Sequence, residues 1–270
     1  MTTITLTNIH AATKGMRVGP VTLTLEAGVH AFLGEPTDGI GLLLRVLAGE
    51  AKSRGSIQGI PSESVASVFA DLPLPEELSC AEYLGLANGF RGLSRSEDEV
   101  LARFGLTDWA RQRISKLAKP ERKALAIAEA FTSHCALLLL EEPLASVSPA
   151  AVSAIENALV EKTPSRLCVY STNQPETAAR FADSVAVFER GCAVIHAKPN
   201  DPRLSEGRYR VDCSDPGKLL SLLRRDSGGA LKLETMGDTV WVEARLGAPA
   251  ASIDVAKLIT RAAAEGSINV

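Results

Sequence analysis

Two stretches of the chain hold residues whose types and spacing bear on chemistry. In Leu33–Glu50, LGEPTDGIGLLLRVLAGE, a strand-like run (VHAFLG) enters a turn-rich segment and a leucine-rich helical pattern leaves it. Gly34 and Gly39 keep the separation of the G-x-x-x-x-G-K-[ST] loop, whose backbone N–H groups cradle phosphate oxygens. That loop needs a lysine for the terminal phosphates and a hydroxyl for magnesium. Here Ile40 sits at the lysine position, Gly41 at the hydroxyl position, and Leu42 follows. By spacing alone the loop match is weak, and a tight strand-to-helix turn is the better reading. The second stretch, CALLLLEEPLASVSP (Cys135–Pro149), is an apolar strand that ends in Glu141 and Glu142. At such a strand end one carboxylate can orient a magnesium ion and the next can polarise an attacking water. The carboxyl ends of buried strands are where open α/β sheets take ligands. The alternative is an acidic turn that merely ends a strand.

Apolar periodicity identifies the elements that must position these groups. The strands ITLTNI (Ile4–Ile9), VTLTLEAG, VHAFLG, SVASVF, ALLLLE, RLCVYST and SVAVFERGCAVI alternate with helical patterns. The helices are expected over Leu42–Ala48, Ser79–Ala87, Ser96–Phe104, Lys119–Phe131, Pro149–Glu161 and Pro175–Phe181. Runs such as ALLLLE, apolar at every position, mark strands buried on both faces of a mostly parallel sheet. The span from 71 to 131 is helical and more charged, which suits a separate helical lobe. AKPNDPRLSEG (Ala197–Gly207), with its Pro and Gly, reads as a linker. Beyond it RYRVDC reads as strand, DPGKLLSLLRR as helix, and ALKLETM with TVWVEARL as two strands about a Gly-Asp turn. SIDVAKLITRAAAEG reads as a helix capped by Ser252 and stopped at Gly266, and SINV as a last strand. That β-α-β-β-α-β order is a ferredoxin-like split unit, with Trp241 expected in its core. The expected domains are 1–198 and 208–270, joined by 199–207.

Composition narrows the function classes. A chain of 270 residues, 46% of them hydrophobic, can bury one large domain and a smaller one. A net charge of −3 offers no basic field for nucleic acid. The amino end, MTTITLTNIH, lacks a charged-then-apolar signal pattern. The longest apolar run, Cys135–Leu140, is too short to cross a bilayer, so membrane association is expected through a partner. The five cysteines (Cys80, Cys135, Cys168, Cys192, Cys213) form no CxxC pair and no metal spacing with the four histidines. They read as small buried residues of a reducing cytoplasm.

Taken together, the chain resembles the ATP-binding subunit of an ABC transporter over nearly its full length. VTLTLEAGVHAFLGEPTDGIGLLLRVLAGEAKSRGSI is similar to that family's opening, through its Walker A loop to the strand that follows. ISKLAKPERKALAIAEAF (Ile114–Phe131) falls where the family has its signature sequence and the helix after it. LLLLEEPLASVSPAAV resembles Walker B and the D-loop, and VYSTNQPETAARFADSVAVFERG (Val169–Gly191) the switch strand, its helix and the next hairpin. The last split unit is similar to the tail on subunits serving exporter-type permeases. The resemblance implies an α/β fold: a P-loop NTPase-like ABC ATPase core with a helical subdomain, plus a small α+β tail.

Residue by residue, the same correspondence removes the family's chemistry. The loop Gly34, Glu35, Pro36, Thr37, Asp38, Gly39, Ile40, Gly41, Leu42 lacks the lysine and the hydroxyls. Glu141 stands at the Walker B aspartate, one methylene longer, and Glu142 keeps the catalytic carboxylate. The signature, Leu-Ser-Gly-Gly-Gln in the family, reads Leu117, Ala118, Lys119, Pro120, Glu121. Ala118 loses a hydroxyl and Pro120 a backbone N–H. Asn173 occupies the switch-histidine position and Ser148 the D-loop aspartate. The Q-loop glutamine, on the metal side, falls at Ala70 or Asp71. No aromatic lies around Ala11–Lys14 to stack an adenine.

A charge-assisted hydrogen bond contributes about 1.5–3 kcal/mol. In phosphoryl transfer one cationic group can be worth roughly 10³–10⁵ in rate. Joint loss of the lysine, the magnesium hydroxyl and the switch histidine should abolish turnover at this loop. Glu35 and Asp38 add negative charge where a polyanion would approach. Asp38 admits two readings: a carboxylate that caps the helix and occupies the anion nest, or a solvated turn acid. Lys119 reads either as a donor to a γ-phosphate held by a partner's Walker A or as a surface lysine. The expectation is a pseudo-ATPase with no cofactor, cytoplasmic and peripheral at the inner face of the membrane. Its partners would be a permease and a second ABC ATPase subunit, itself or a competent one, in a structural or regulatory complex. Two alternatives stand beside it. One is a divergent active ATPase taking ATP and magnesium, with Glu142 and a lysine from elsewhere. The other is a soluble ABC-like scaffold in a cytoskeletal or motility assembly.

Overall fold

The computed structural model describes residues 2–61, 64–71, 73–161, 166–199, 208–227, 231–244 and 255–269. The chain divides into two compact units, Met1–Pro199 and Asn200–Val270. In the first, strands β1 (Ile4–Thr13), β2 (Met16–Leu25) and β4 (Arg54–Gln58) form an antiparallel sheet in the order β2-β1-β4. β1 and β2 run further than their apolar patterns and meet at a hairpin about Lys14 and Gly15, where pairing holds exposed residues such as Thr13.

The second sheet of this unit is built from β3 (Gly28–Leu33), β5 (Val65–Val68), β6 (Leu137–Leu140), β7 (Leu167–Thr172), β8 (Ser184–Glu189) and β9 (Cys192–Ala197). Their order is β5-β6-β7-β3-β8-β9, parallel except for the antiparallel edge strand β9. All four leucines of β6 are fully buried, as a strand covered on both faces requires. Helix α1 (Ile40–Leu47) is apolar nearly all round and is buried accordingly. Its Leu43, Leu44 and Leu47 share one core with Ile4, Leu6 and Leu25 of the small sheet and Phe32, Leu139 and Val169 of the large one.

The lobe between β5 and β6 contains α2 (Cys80–Phe90), α3 (Glu97–Arg103) and α4 (Lys119–Thr132). Ser79 and Glu82 start α2 with a capping box, and Ser96 caps α3. α5 (Pro149–Val160) and α6 (Pro175–Phe181) follow β6 and β7. Register places Leu33 beside Thr172 and Val187, and Leu140 beside Val68 and Tyr170. The loops that leave β3, β6 and β7 therefore open at the same end of the sheet, at the crossover where ligands bind in open α/β sheets.

In the second unit β10 (Arg208–Asp212), β11 (Leu231–Met236) and β12 (Thr239–Ala244) form an antiparallel sheet ordered β10-β12-β11. α7 (Pro216–Ser227) and α8 (Val255–Gly266) complete a core with Leu219, Leu223, Val240, Val242 and Ala262. Two expectations are corrected. SINV does not pair as a strand among the described residues. Ser267 takes φ +50°, and Ile268 N–H donates back to Ala263 O at 2.9 Å, so the segment closes the end of α8. Trp241 is not in the core: strand alternation turns it away from the buried Val240 and Val242, and it is half-buried. Ser252 and positions 200–207 of the expected linker lie outside the described residues.

Leu43 is fully buried between the two sheets. Leu43→Ala is expected to lower stability by about 2–5 kcal/mol in urea denaturation.

Candidate functional site

The loop after β3 is closed by the protein's own groups. Gly34 N–H donates to Thr172 O at 3.1 Å, and Asp38 N–H to Glu35 O at 2.9 Å, giving a single tight turn over Pro36–Asp38. Gly39 takes φ +76°, and a Cβ there would lie 2.3 Å from Arg17 O, so only glycine fits. Asp38 Oδ2 accepts the Glu35 N–H at 2.9 Å, and Oδ1 accepts the Arg190 N–H of the β8–β9 turn at 2.7 Å. α1 begins without a side-chain cap. The helix-capping reading of Asp38 is thus corrected, because its two oxygens join the loop to a neighbouring turn instead. Ile40 is 3% exposed, and its Cδ1 would stand 3.1 Å from a Cβ on Gly34. The side chain at the lysine position folds back into the core. Glu35, Pro36 and Thr37 are exposed, and Leu42 is buried.

The end of β6 meets this loop directly. Glu141 N–H donates to Val68 O at 2.9 Å, and Glu141 Oε2 accepts the Ala70 N–H at 3.0 Å. The other oxygen, Oε1, would lie 2.4 Å from a Cβ built on Gly41. The side chain at the Walker B position therefore spans from the Q-loop position to the hydroxyl position. Its extra methylene and the missing side chain of Gly41 are complementary. Asp71, next along, pairs instead with Arg45, whose guanidinium holds that carboxyl below its usual value.

Glu142 adopts φ +47°, an uncommon conformation for a side-chain-bearing residue, with its N–H on Ser171 Oγ at 2.9 Å. Burial raises its pKa; Lys123 opposes that shift, and the charges of Glu141 and Glu35 add to it. Lys123, on α4, donates from Nζ to Glu142 O at 2.5 Å and Ala145 O at 2.8 Å. Burial lowers its pKa against the pull of both glutamates. Sequence reasoning did not single out Lys123. The available signal was a cation at helical spacing from Ala126, Ile127 and Ala130, all buried.

The remaining expected residues are less closely gathered. Leu117 is buried, Ala118 precedes α4 in extended conformation, and Lys119 is exposed. Pro120 lies in the first turn, and one oxygen of Glu121 is shielded without a hydrogen-bond partner. A cavity of about 570 Å³ is lined by Ala70 and Asp71 on one side and Lys119 and Lys123 on the other. Asn173 is exposed beyond β7, and Ser148 caps α5 through the Ala151 N–H at 3.3 Å. Glu141 fills the space beside Gly41, and Ile40 places a buried hydrocarbon side chain at the lysine position. Among the described residues no group of three or more His, Cys, Asp or Glu could hold a metal ion.

The sequence model of the ABC transporter family matches residues 18–145. An aliphatic sulfonates import ATP-binding protein of Pseudomonas syringae, SsuB 1, is 32% identical over 184 residues, covering 66% of this chain and 77% of that protein. The chain belongs to the ABC transporter ATP-binding subunits. The thiamine import ATP-binding protein ThiQ of Rhizobium meliloti is 28% identical over 68% of this chain and 88% of its own length. A molybdenum import ATP-binding protein ModC of Brucella abortus is 31% identical, and the chain spans 52% of it. Among solved structures, an ATP-binding subunit of an ABC transporter matches 75% of this chain and 92% of its own, with TM-score 0.66 and 22% identity. The cassette MJ0796, described as a post-hydrolysis dimer bound to ADP and Pi, matches 73% of this chain and 99% of its own, with TM-score 0.63 and 17% identity. These likenesses establish the ABC ATPase fold. The relatives named here are import proteins, so they lend no support to an exporter-type tail.

Two expectations test this ABC subunit's site. Gly41→Ser would displace Glu141 from Ala70 and lower stability in urea by about 1.5–3 kcal/mol. With Glu141→Asp in the same chain it should cost no further stability, a coupling that a double-mutant cycle reads directly. Glu142 has a folded pKa above its unfolded one, so its contribution is full below the ordinary carboxylate range and lost as pH rises through the raised value. Glu142→Gln should raise the melting temperature near neutral pH, with the gain vanishing in acid.

Proposed function

We propose that this ABC transporter ATP-binding subunit is a nucleotide-silent cassette with a structural or regulatory role. It docks on a permease at the cytoplasmic face of a membrane and pairs with itself or with a competent ATPase subunit. One observation carries the reading: the Glu141 carboxylate, held by the Ala70 N–H, fills the space beside Gly41 where the family places its hydroxyl and metal. Asp38, which takes two backbone N–H groups, and the inward Ile40 support it. Electrostatics favours the same conclusion, because Glu35, Asp38, Glu141 and Glu142 surround the path of a polyanion. Among the described residues no helix is long and apolar enough to cross a membrane, which suits attachment through a permease. Relatives named for the import of thiamine, molybdenum and sulfonates favour an import complex.

Lys123 favours a second reading, a divergent active ATPase in which a lysine from α4 serves Glu142. Its bonds to Glu142 O and Ala145 O both go to main-chain carbonyls, which favours the silent cassette. Calorimetric titration of the purified chain with MgATP is expected to give no binding at millimolar nucleotide. Micromolar binding, with phosphate release that Lys123→Met abolishes, would select the second reading. Co-purification of a permease from detergent-solubilised membranes is expected; recovery of the chain wholly in the soluble fraction would favour a scaffold.

A further inference from the structure

A second polar cavity, of about 330 Å³, lies at the amino-terminal ends of β6 and β7, the opposite end of those strands from Glu141. Three arginines from separate elements line it: Arg95 before α3, Arg103 at the end of α3, and Arg166 just before β7. Among the described residues Glu161 is the one carboxylate on its wall, so the three arginines less that one carboxylate leave a surplus of two positive charges. Arginine does not shed its proton in proteins, so that surplus is permanent.

The arginines are held in distinct ways. Arg166 is fixed by three main-chain carbonyls: Nε on Cys135 O at 3.2 Å, Nη1 on Phe131 O at 3.2 Å and Nη2 on Ser133 O at 2.5 Å. Those three bonds use three of the five N–H donors of the guanidinium. Arg95 Nη2 lies 3.0 Å from His134 Nε2, and Arg103 pairs with Glu161 at 2.6 Å while lying over the Phe104 ring. Phe104 and Phe131 stack at 6.2 Å beneath them as an apolar floor.

We propose that this cavity binds a small organic phosphate. Planar guanidinium forks match phosphate oxygens two at a time. A phosphate group with a charge of about −1.5 to −2 neutralises the surplus on the wall. The cavity has the size of the smaller ligand sites, roughly 300 Å³ and upward. Bound there, the ligand bridges α3 to β7 and fastens the helical lobe to the sheet.

The test is calorimetric titration of the full chain at low salt with inorganic phosphate and with glycerol phosphate. The wild type is expected to bind both, and Arg95→Ala/Arg103→Ala, in exposed side chains, to weaken binding at least tenfold. Arg166 is left in place because it supports the main chain. If the double variant melts lower without ligand, the single Arg95→Gln should show the same direction of loss. No binding by the wild type at millimolar phosphate, or equal binding by the variants, overturns the proposal. Binding that survives in the variants and is competed by MgATP also overturns it, and independently places phosphate at the β3 loop, against the silent-cassette reading.

Discussion

The contact between Glu141 and Gly41 governs how the cassette's central end is organised. A carboxylate at the end of a buried strand must be paired or solvated, because leaving it unsatisfied in a low-dielectric setting is costly. In this chain one of its oxygens is paired internally. Oε2 takes the Ala70 N–H, and Oε1 rests where a side chain on residue 41 would stand. One substitution lengthens the acid and another removes the obstacle. The two changes answer each other sterically.

The loop above that contact follows the same logic. A phosphate loop without its anion presents backbone N–H groups that need acceptors. Asp38 supplies one, drawing in the β8–β9 turn through Arg190, and Ile40 fills the inner volume with hydrocarbon. On the far side Lys123 caps two carbonyls of the segment after β6 and offsets the charge of Glu142. The end of the sheet that binds nucleotide elsewhere in the family is thus stabilised by side chains that reach across it. A subunit of this kind contributes shape and an interface to a transporter without contributing hydrolysis, which is the role proposed for it.

Much of the fold was legible because burial imposes period. β6 is apolar at every position, and two-sided burial follows; α1 is apolar but for Arg45 and Gly41, and its leucines lie in the core. Ser79 with Glu82 announces α2 through its capping chemistry. SINV misled because β-branched residues near a helix end can serve a strand or a cap. The left-handed Ser267 and the inward Ile268 decided for the cap. Trp241 misled because alternation assigns residues to two faces but does not say which face the helices cover.

The sequence by itself determined which groups are missing: no lysine at 40, no hydroxyl at 41, no histidine at 173. It also determined where the strands end, and so where these positions gather. Only the tertiary structure decided what replaces the missing groups. The reach of Glu141 to Ala70, of Asp38 to Arg190 and of Lys123 to Glu142 joins residues separated by 71, 152 and 19 positions. Identity and spacing fix what a side chain can do. Which backbone group comes within about 3 Å of it depends on how distant segments pack, and local pattern holds no record of that.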